Sequence, residues 1–202
     1  MIVKELTKYD AEDYRQIRLE ALDKNPDSFG TTYQEEVIKT IEQFRDRIPV
    51  DNNNFILGCF EDKNLIEIVA FYQESRIKLR HKAYISSMYV QQEYRGKGIA
   101  VPIQMRYNII LRGVGARQCR APTGVPHVNE NRCIGKLLLN ELIERAKTIS
   151  EVEILLLDIV KSNFLAKPFY LSLGFQIYGT EKMAYKFNNQ YFDLEFMCLK
   201  IK

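Results

Sequence analysis

Tyr84-Ile-Ser-Ser-Met-Tyr-Val90, followed at once by Gln91-Gln-Glu-Tyr-Arg-Gly-Lys-Gly-Ile-Ala100, decides how the chain is read. The first part is aromatic and β-branched with alternating apolar positions, the pattern of a strand. The second carries two glycines and two cations, so the strand runs straight into a turn suited to an anion. Gly96 and Gly98 have no Cβ, which lets successive backbone N–H groups converge on one cluster of phosphate oxygens. Arg95 and Lys97 set positive charge beside those donors. Glycine-basic turns also serve as plain strand-to-helix connections, so the spacing needs support from the rest of the chain.

Working outward, 202 residues suffice for one sizeable core and do not demand two domains. The composition, 46% hydrophobic and 27% charged, is that of a soluble protein. No apolar run approaches the roughly 20 residues that span a bilayer, and Met1-Ile-Val-Lys-Glu5 lacks the shape of a signal peptide, so a cytoplasmic location is expected. Cys59, Cys119, Cys133 and Cys198 form no CxxC pair, which points to reduced thiols and to neither zinc nor a disulfide framework; no metal is expected. A net charge of +3 is too small to argue for nucleic acid.

Upstream, Met1 to Leu6 alternates like a strand, and Asp10 can cap a helix carrying Tyr14, Ile17 and Ala21 on one face. Val37, Ile41, Phe44 and Ile48 recur at helical spacing until Pro49, predicting one further helix. Phe55–Phe60, Leu65–Tyr72 and Lys82–Val90 then read as three strands joined by hairpins. Downstream, residues 135–149 place Leu138, Leu142, Ala146 and Ile149 on one helical stripe, and residues 153–160 form a continuous apolar strand covered on both faces. Ser162 or Asn163 can cap a short helix that Gly174 stops, and a hairpin around residues 188–190 closes the chain. The expected fold class is α+β, a central mixed, mostly antiparallel sheet flanked by helices, with residues 1–202 forming one domain.

Residues 100–134 do not match their surroundings. They hold five arginines, no lysine, one acidic residue (Glu130), half the prolines and two of the four cysteines. Removing them joins Arg95-Gly-Lys-Gly-Ile99 to Gly135-Lys-Leu-Leu-Leu139 without a seam, so the segment reads as an insertion between a phosphate loop and its helix.

In this order of segments the chain resembles the GNAT superfamily of acetyl-CoA-dependent N-acetyltransferases. Two motifs carry the resemblance. One is Arg95-x-x-Gly98-x-Ala100, or Gly135 in place of Ala100 with the insert looped out. The other is Asn163-x-x-Ala166-x-x-x-Tyr170-x-x-x-Gly174-Phe175. Residues 17–22 and 29–36 also look like a group of bacterial GNAT proteins. The resemblance implies that the loop amides of Arg95, Gly96, Lys97, Gly98 and Ile99, then Ala100 or Gly135, hold the pyrophosphate of CoA at a helix N-terminus. It implies that backbone groups of Met88 and Val90 pair with the pantetheine arm, and that Asn163 bonds to the cofactor's amides. Tyr170 corresponds to the tyrosine that protonates the departing thiolate. The acceptor would be a primary amine attacking the acetyl carbonyl directly, with a base or water chain taking its proton; Glu35, Glu36, Glu93 and His81 are candidates, and none is preferred.

Two departures from the family pattern set further expectations. The insert interrupts the phosphate loop, and Pro168 falls at the fifth position of a helix that starts near Phe164, which predicts a bend before Tyr170. The rival reading is a CoA-binding or non-catalytic protein whose Arg106, Arg112, Arg117, Arg120 and Arg132 contact an anionic partner such as RNA, though only Tyr107 is there to stack on a base. A nicotinamide-dependent oxidoreductase fails because no G-x-G-x-x-G opens a βαβ unit. Monomer and homodimer both fit, and no membrane partner is expected.

Overall fold

A computed structural model describes residues 1–51, 53–95 and 134–202. Its strands are β1 (Ile2–Glu5), β2 (Asn54–Glu61), β3 (Asn64–Gln73), β4 (Lys82–Val90), β5 (Ile154–Val160), β6 (Gln176–Phe187) and β7 (Gln190–Lys200). Its α-helices are α1 (Ala11–Lys24), α2 (Tyr33–Val37), α3 (Ile41–Arg47), α4 (Ile134–Thr148) and α5 (Ala166–Leu171). The strands form one seven-stranded sheet in the order β1-β2-β3-β4-β5-β7-β6. Every pair is antiparallel except β4 with β5, so the mixed α+β class expected from the sequence holds.

Alternation along β3 divides the core. Val69 and Phe71 point to one face, where Leu138, Leu139 and Leu142 of α4 cover them; Ile68 and Ala70 point to the other, against Tyr14, Ile17 and Ala21 of α1 and Phe44 of α3. Each fully buried aliphatic or aromatic side chain contributes about 1.5–3 kcal/mol, so the two helical layers fix strand register as well as stability.

The sheet opens in its middle. β4 and β5 pair only over Lys82–Tyr84 with Ile154–Leu156, whereas β5 follows β7 along its whole length. Beyond Tyr84, β4 stays with β3, and a bulge there takes Ser87 and Met88 out of the pairing, with Ser87 at φ 55°. A bulge increases local twist, so β4 leans away from β5 and a wedge opens between them.

Three local expectations need correction. The periodic run from Val37 to Ile48 is two helices, because Thr40 caps α3 by accepting from Gln43 N, and the chain must break to present that cap. The Asp10 carboxylate makes no cap bond to α1; it accepts from Thr7 N, Thr7 Oγ1 and Lys4 Nζ and holds the preceding 3-10 turn. Pro168 causes no bend in a helix interior. α5 begins at Ala166, so Pro168 lies in the first turn, where a missing N–H removes no helical bond.

Candidate functional site

The wedge between β4 and β5 is a cleft of about 350 Å³. β4 supplies Met88, Tyr89 and Val90, the head of α4 supplies Gly135, and the α5 region supplies Asn163, Leu165, Ala166, Phe169 and Tyr170. Asn25, Ser28 and Phe29, from the segment after α1, and Arg95 close the rim. Of the residues expected to form the site, Met88, Val90, Arg95, Gly135, Asn163 and Tyr170 are thus brought together. Gly96, Lys97, Gly98, Ile99 and Ala100 lie outside the described residues, as do all five arginines of the insert.

Each wall has a local cause. Asn163 turns the chain out of β5 into α5: its Oδ1 accepts from Ala166 N at 3.0 Å, and its Nδ2 lies 3.4 Å from Ser28 Oγ. Gly174, at φ +91°, ends that segment, and Phe175 N reaches back to Tyr170 O. Tyr170 is consequently locked between the rings of Phe169 and Phe175, both edge-on at 5.2 and 5.7 Å. Burial, reinforced by the charge of Asp158, raises its pKa, so the phenol stays protonated through neutral pH.

Arg95 differs from a free phosphate ligand. Its Nε donates to Val90 O at 2.8 Å, a terminal nitrogen donates to Asn25 Oδ1 at 2.8 Å, and its guanidinium lies 5.1 Å over the Tyr89 ring. It therefore ties the end of β4 to the end of α1 and fixes one side of the cleft mouth. Glu20 secures the same corner by accepting from Tyr89 Oη and Gln91 Nε2.

At the head of α4, Gly135 is buried and faces Met88, Glu67 and Phe169; a Cβ there would sit 3.4–3.5 Å from each. The absent side chain leaves the first turn of a fifteen-residue helix uncovered by any side chain of its own at position 135, and N–H donors and the macrodipole there favour an anion. Glu67 lies immediately behind it, fully buried, with neither carboxylate oxygen bonded to any described residue. Burial raises its pKa well above the ordinary carboxylate value, so it is a neutral acid that does not oppose an anion at this helix end.

None of the four candidate bases lines the cleft. The Glu35 carboxylate closes the capping box of α2 with Thr32, and Glu36 is buried between Lys39 and Arg47 at 2.8 and 2.5 Å. Glu93 is exposed, and His81 stands at the start of β4, its carbonyl accepting from Glu153 and Ile154. A carboxylate that the sequence reading did not single out is Asp158, which like these four is not part of the cleft lining. It alternates with Leu157 and Ile159, which face α4, so it projects from β5 on the opposite side of the sheet. Its charge reaches Tyr170, Tyr178 and Tyr185, and its own pKa is raised by burial. An acidic residue inside an otherwise apolar strand, five positions before Asn163, was the available signal.

The mixed sheet thus splits between β4 and β5, with the first turn of α4 at one end of the split and the buried Tyr170 along it. Two family models match successive stretches of the sequence: "Acetyltransferase (GNAT) family" over residues 13–101 and "Acetyltransferase (GNAT) domain" over residues 125–196. The chain belongs to the GNAT acetyltransferase superfamily. Neither match includes residues 102–124, which lie within the segment that the sequence marks as an interruption.

Solved structures agree on the fold. An acetyltransferase of the GNAT family from Streptococcus pneumoniae is 18% identical, covering 100% of this chain and 99% of its own, with a TM-score of 0.71. The protein yncA of Salmonella typhimurium, solved with its cofactor acetyl-CoA, is 16% identical over 100% of this chain and 94% of its own, with a TM-score of 0.68. The ribosomal-protein-S18-alanine N-acetyltransferase of Escherichia coli is 15% identical over 99% and 93%, with a TM-score of 0.62. A search of curated proteins gives no match. Among the described residues, no helix is long and apolar enough to cross a membrane, and no group of three or more His, Cys, Asp or Glu could hold a metal ion.

Proposed function

We propose that the chain transfers an acetyl group from acetyl-CoA to a primary amine by direct attack, as a single domain from which residues 100–134 are looped out. The observation that carries this reading is the convergence of Met88, Val90, Gly135, Asn163 and Tyr170 on one cleft between β4 and β5. The residues fit the cofactor: Gly135 leaves helix amides open for a diphosphate, while the Met88 bulge and Asn163 offer polar groups to an amide arm. With Val90 O already accepting from Arg95, the Met88 backbone is the better partner for that arm. When bound, acetyl-CoA supplies an activated thioester carbonyl.

The chain's own groups then manage protons. Asp158 accepts a proton from the acceptor ammonium, directly or through water, because only the neutral amine has a lone pair. As the N–C bond forms and the C–S bond breaks, Tyr170 would donate its phenolic proton to the sulfur, and the proton shed by the new amide nitrogen would return through water to the phenolate. Cys59 is not suited to be a covalent carrier: it is buried, its pKa pushed to about 12, chiefly by burial. We read the protein as cytoplasmic and active despite its insert.

Tyr170→Phe tests the assignment. Loss of the proton donor should lower kcat by roughly 10²-fold or more while acetyl-CoA affinity, read by calorimetry, stays within about twofold. An unchanged kcat would remove Tyr170 from the chemistry.

A further inference from the structure

Buried charge without a partner is costly, and the protein carries one such cation on the side of the sheet away from α4. Arg18, on α1, is 9% exposed, and its Nη1 is enclosed without a hydrogen-bond partner among the described residues. Its guanidinium lies 4.7 Å over the ring of Phe29, and Phe29 is itself a wall of the cleft. The nearest carboxylate, Glu36, is already bonded to Lys39 and Arg47, so three cations share one anion here. The phenols of Tyr14 and Tyr72 lie close enough to Arg18 for their charges to interact, and burial keeps both protonated, Tyr72 up to about 12. A guanidinium with an unpartnered Nη1 is a donor for an oxyanion, and a neutral phenol can donate as well.

We infer that Arg18, with Tyr14 and Tyr72, forms an acceptor subsite for an oxyanion, so that the preferred substrate is an amine that also bears a carboxylate or a phosphate. The inference rests on the transferase reading above and extends it to the acceptor. Phe29 links the two regions: one face supports Arg18, and the ring borders the cleft that holds Tyr170. The subsite recognises the charged end of the acceptor while its amine reaches the cleft. Glu36 belongs to the machinery as well, since its engagement by Lys39 and Arg47 is what leaves Arg18 free for a ligand.

Matched acceptors test it: leucine against leucinamide, 6-aminohexanoate against hexylamine, and phosphoethanolamine against ethanolamine, which separate α-carboxylate, distal carboxylate and phosphate. In at least one pair the anionic member should have a kcat/KM about tenfold higher or more, the difference residing in KM. Arg18→Met should erase that preference, Arg18→Lys should keep part of it, and acetyl-CoA affinity should change in neither. Arg18→Met should also melt at or above the wild-type temperature, because it replaces an unpartnered buried charge with an apolar chain. Equal rates within every pair, or an unchanged preference in Arg18→Met, would overturn the inference. Calorimetric titration of acetate and of inorganic phosphate into the cofactor-free protein decides the matter independently of transfer: binding lost in Arg18→Met supports the subsite, and no binding to the wild type overturns it. Failure of acetyl-CoA itself to bind would instead count against the transferase reading.

Discussion

Replacing Glu67 by glutamine should make the protein progressively more stable than the wild type as pH rises. Glu67 is fully buried on β3, between Gly135 and the core, and burial alone pushes its pKa well above its ordinary value of 4.5. In the unfolded chain the carboxyl ionises near that ordinary value, whereas in the fold it holds its proton to a much higher pH. Between those two limits the folded state binds more protons than the unfolded one, so stability is full below the ordinary value and falls as pH rises. The slope for one such group is about 1.36 kcal/mol per pH unit. Glutamine has the same shape and cannot ionise, and all other titrating groups are common to both proteins and cancel. Urea unfolding of wild type and Glu67→Gln at about pH 5, 6 and 7 should therefore give a stability difference that grows with pH in favour of the variant, by at most about 1.4 kcal/mol per unit. A difference that does not change with pH would refute the claim that Glu67 is a neutral acid behind the head of α4.

Two further outcomes follow from the same geometry. Asp158→Asn should lower kcat by roughly 10²-fold or more and abolish the acid limb of the pH–rate profile, which in the wild type rises with pH through a carboxylate pKa raised by burial; a retained acid limb would assign the proton to another group. Gly58→Ala should destabilise the fold by about 1–3 kcal/mol in thermal unfolding, because the added Cβ would meet Leu65 Cδ1 at 2.6 Å and Leu6 Cδ2 at 2.7 Å; an unchanged melting temperature would mean that these leucines repack freely.

Much of this was legible in the sequence where one signal dominates. Alternating apolar residues from Tyr84 to Val90 and the continuous run Ile154–Val160 gave strands at their observed places, because strand patterning depends on local side-chain burial. The Asn163 and Gly174 signals marked both ends of the α5 segment, since caps are decided within a few residues. The split of residues 33–47 into two helices was not legible, as the apolar spacing runs through Thr40 without interruption. The motif residues Met88, Gly135, Asn163 and Tyr170 line one candidate cleft, as their placement in the order of segments suggested. The bond from Arg95 to Asn25 was not legible, because it joins residues seventy apart. For the same reason the isolation of Glu67 and Arg18 appeared only once distant strands and helices enclosed them.

The central claim is that a cofactor-binding cleft forms between β4 and β5 in this chain, with its insert in place. Calorimetric titration of acetyl-CoA into the intact, folded protein tests it most directly. The account predicts saturable binding of one cofactor per chain, weakened at least tenfold when Gly135→Leu fills the head of α4. A folded protein that takes up no acetyl-CoA would contradict it.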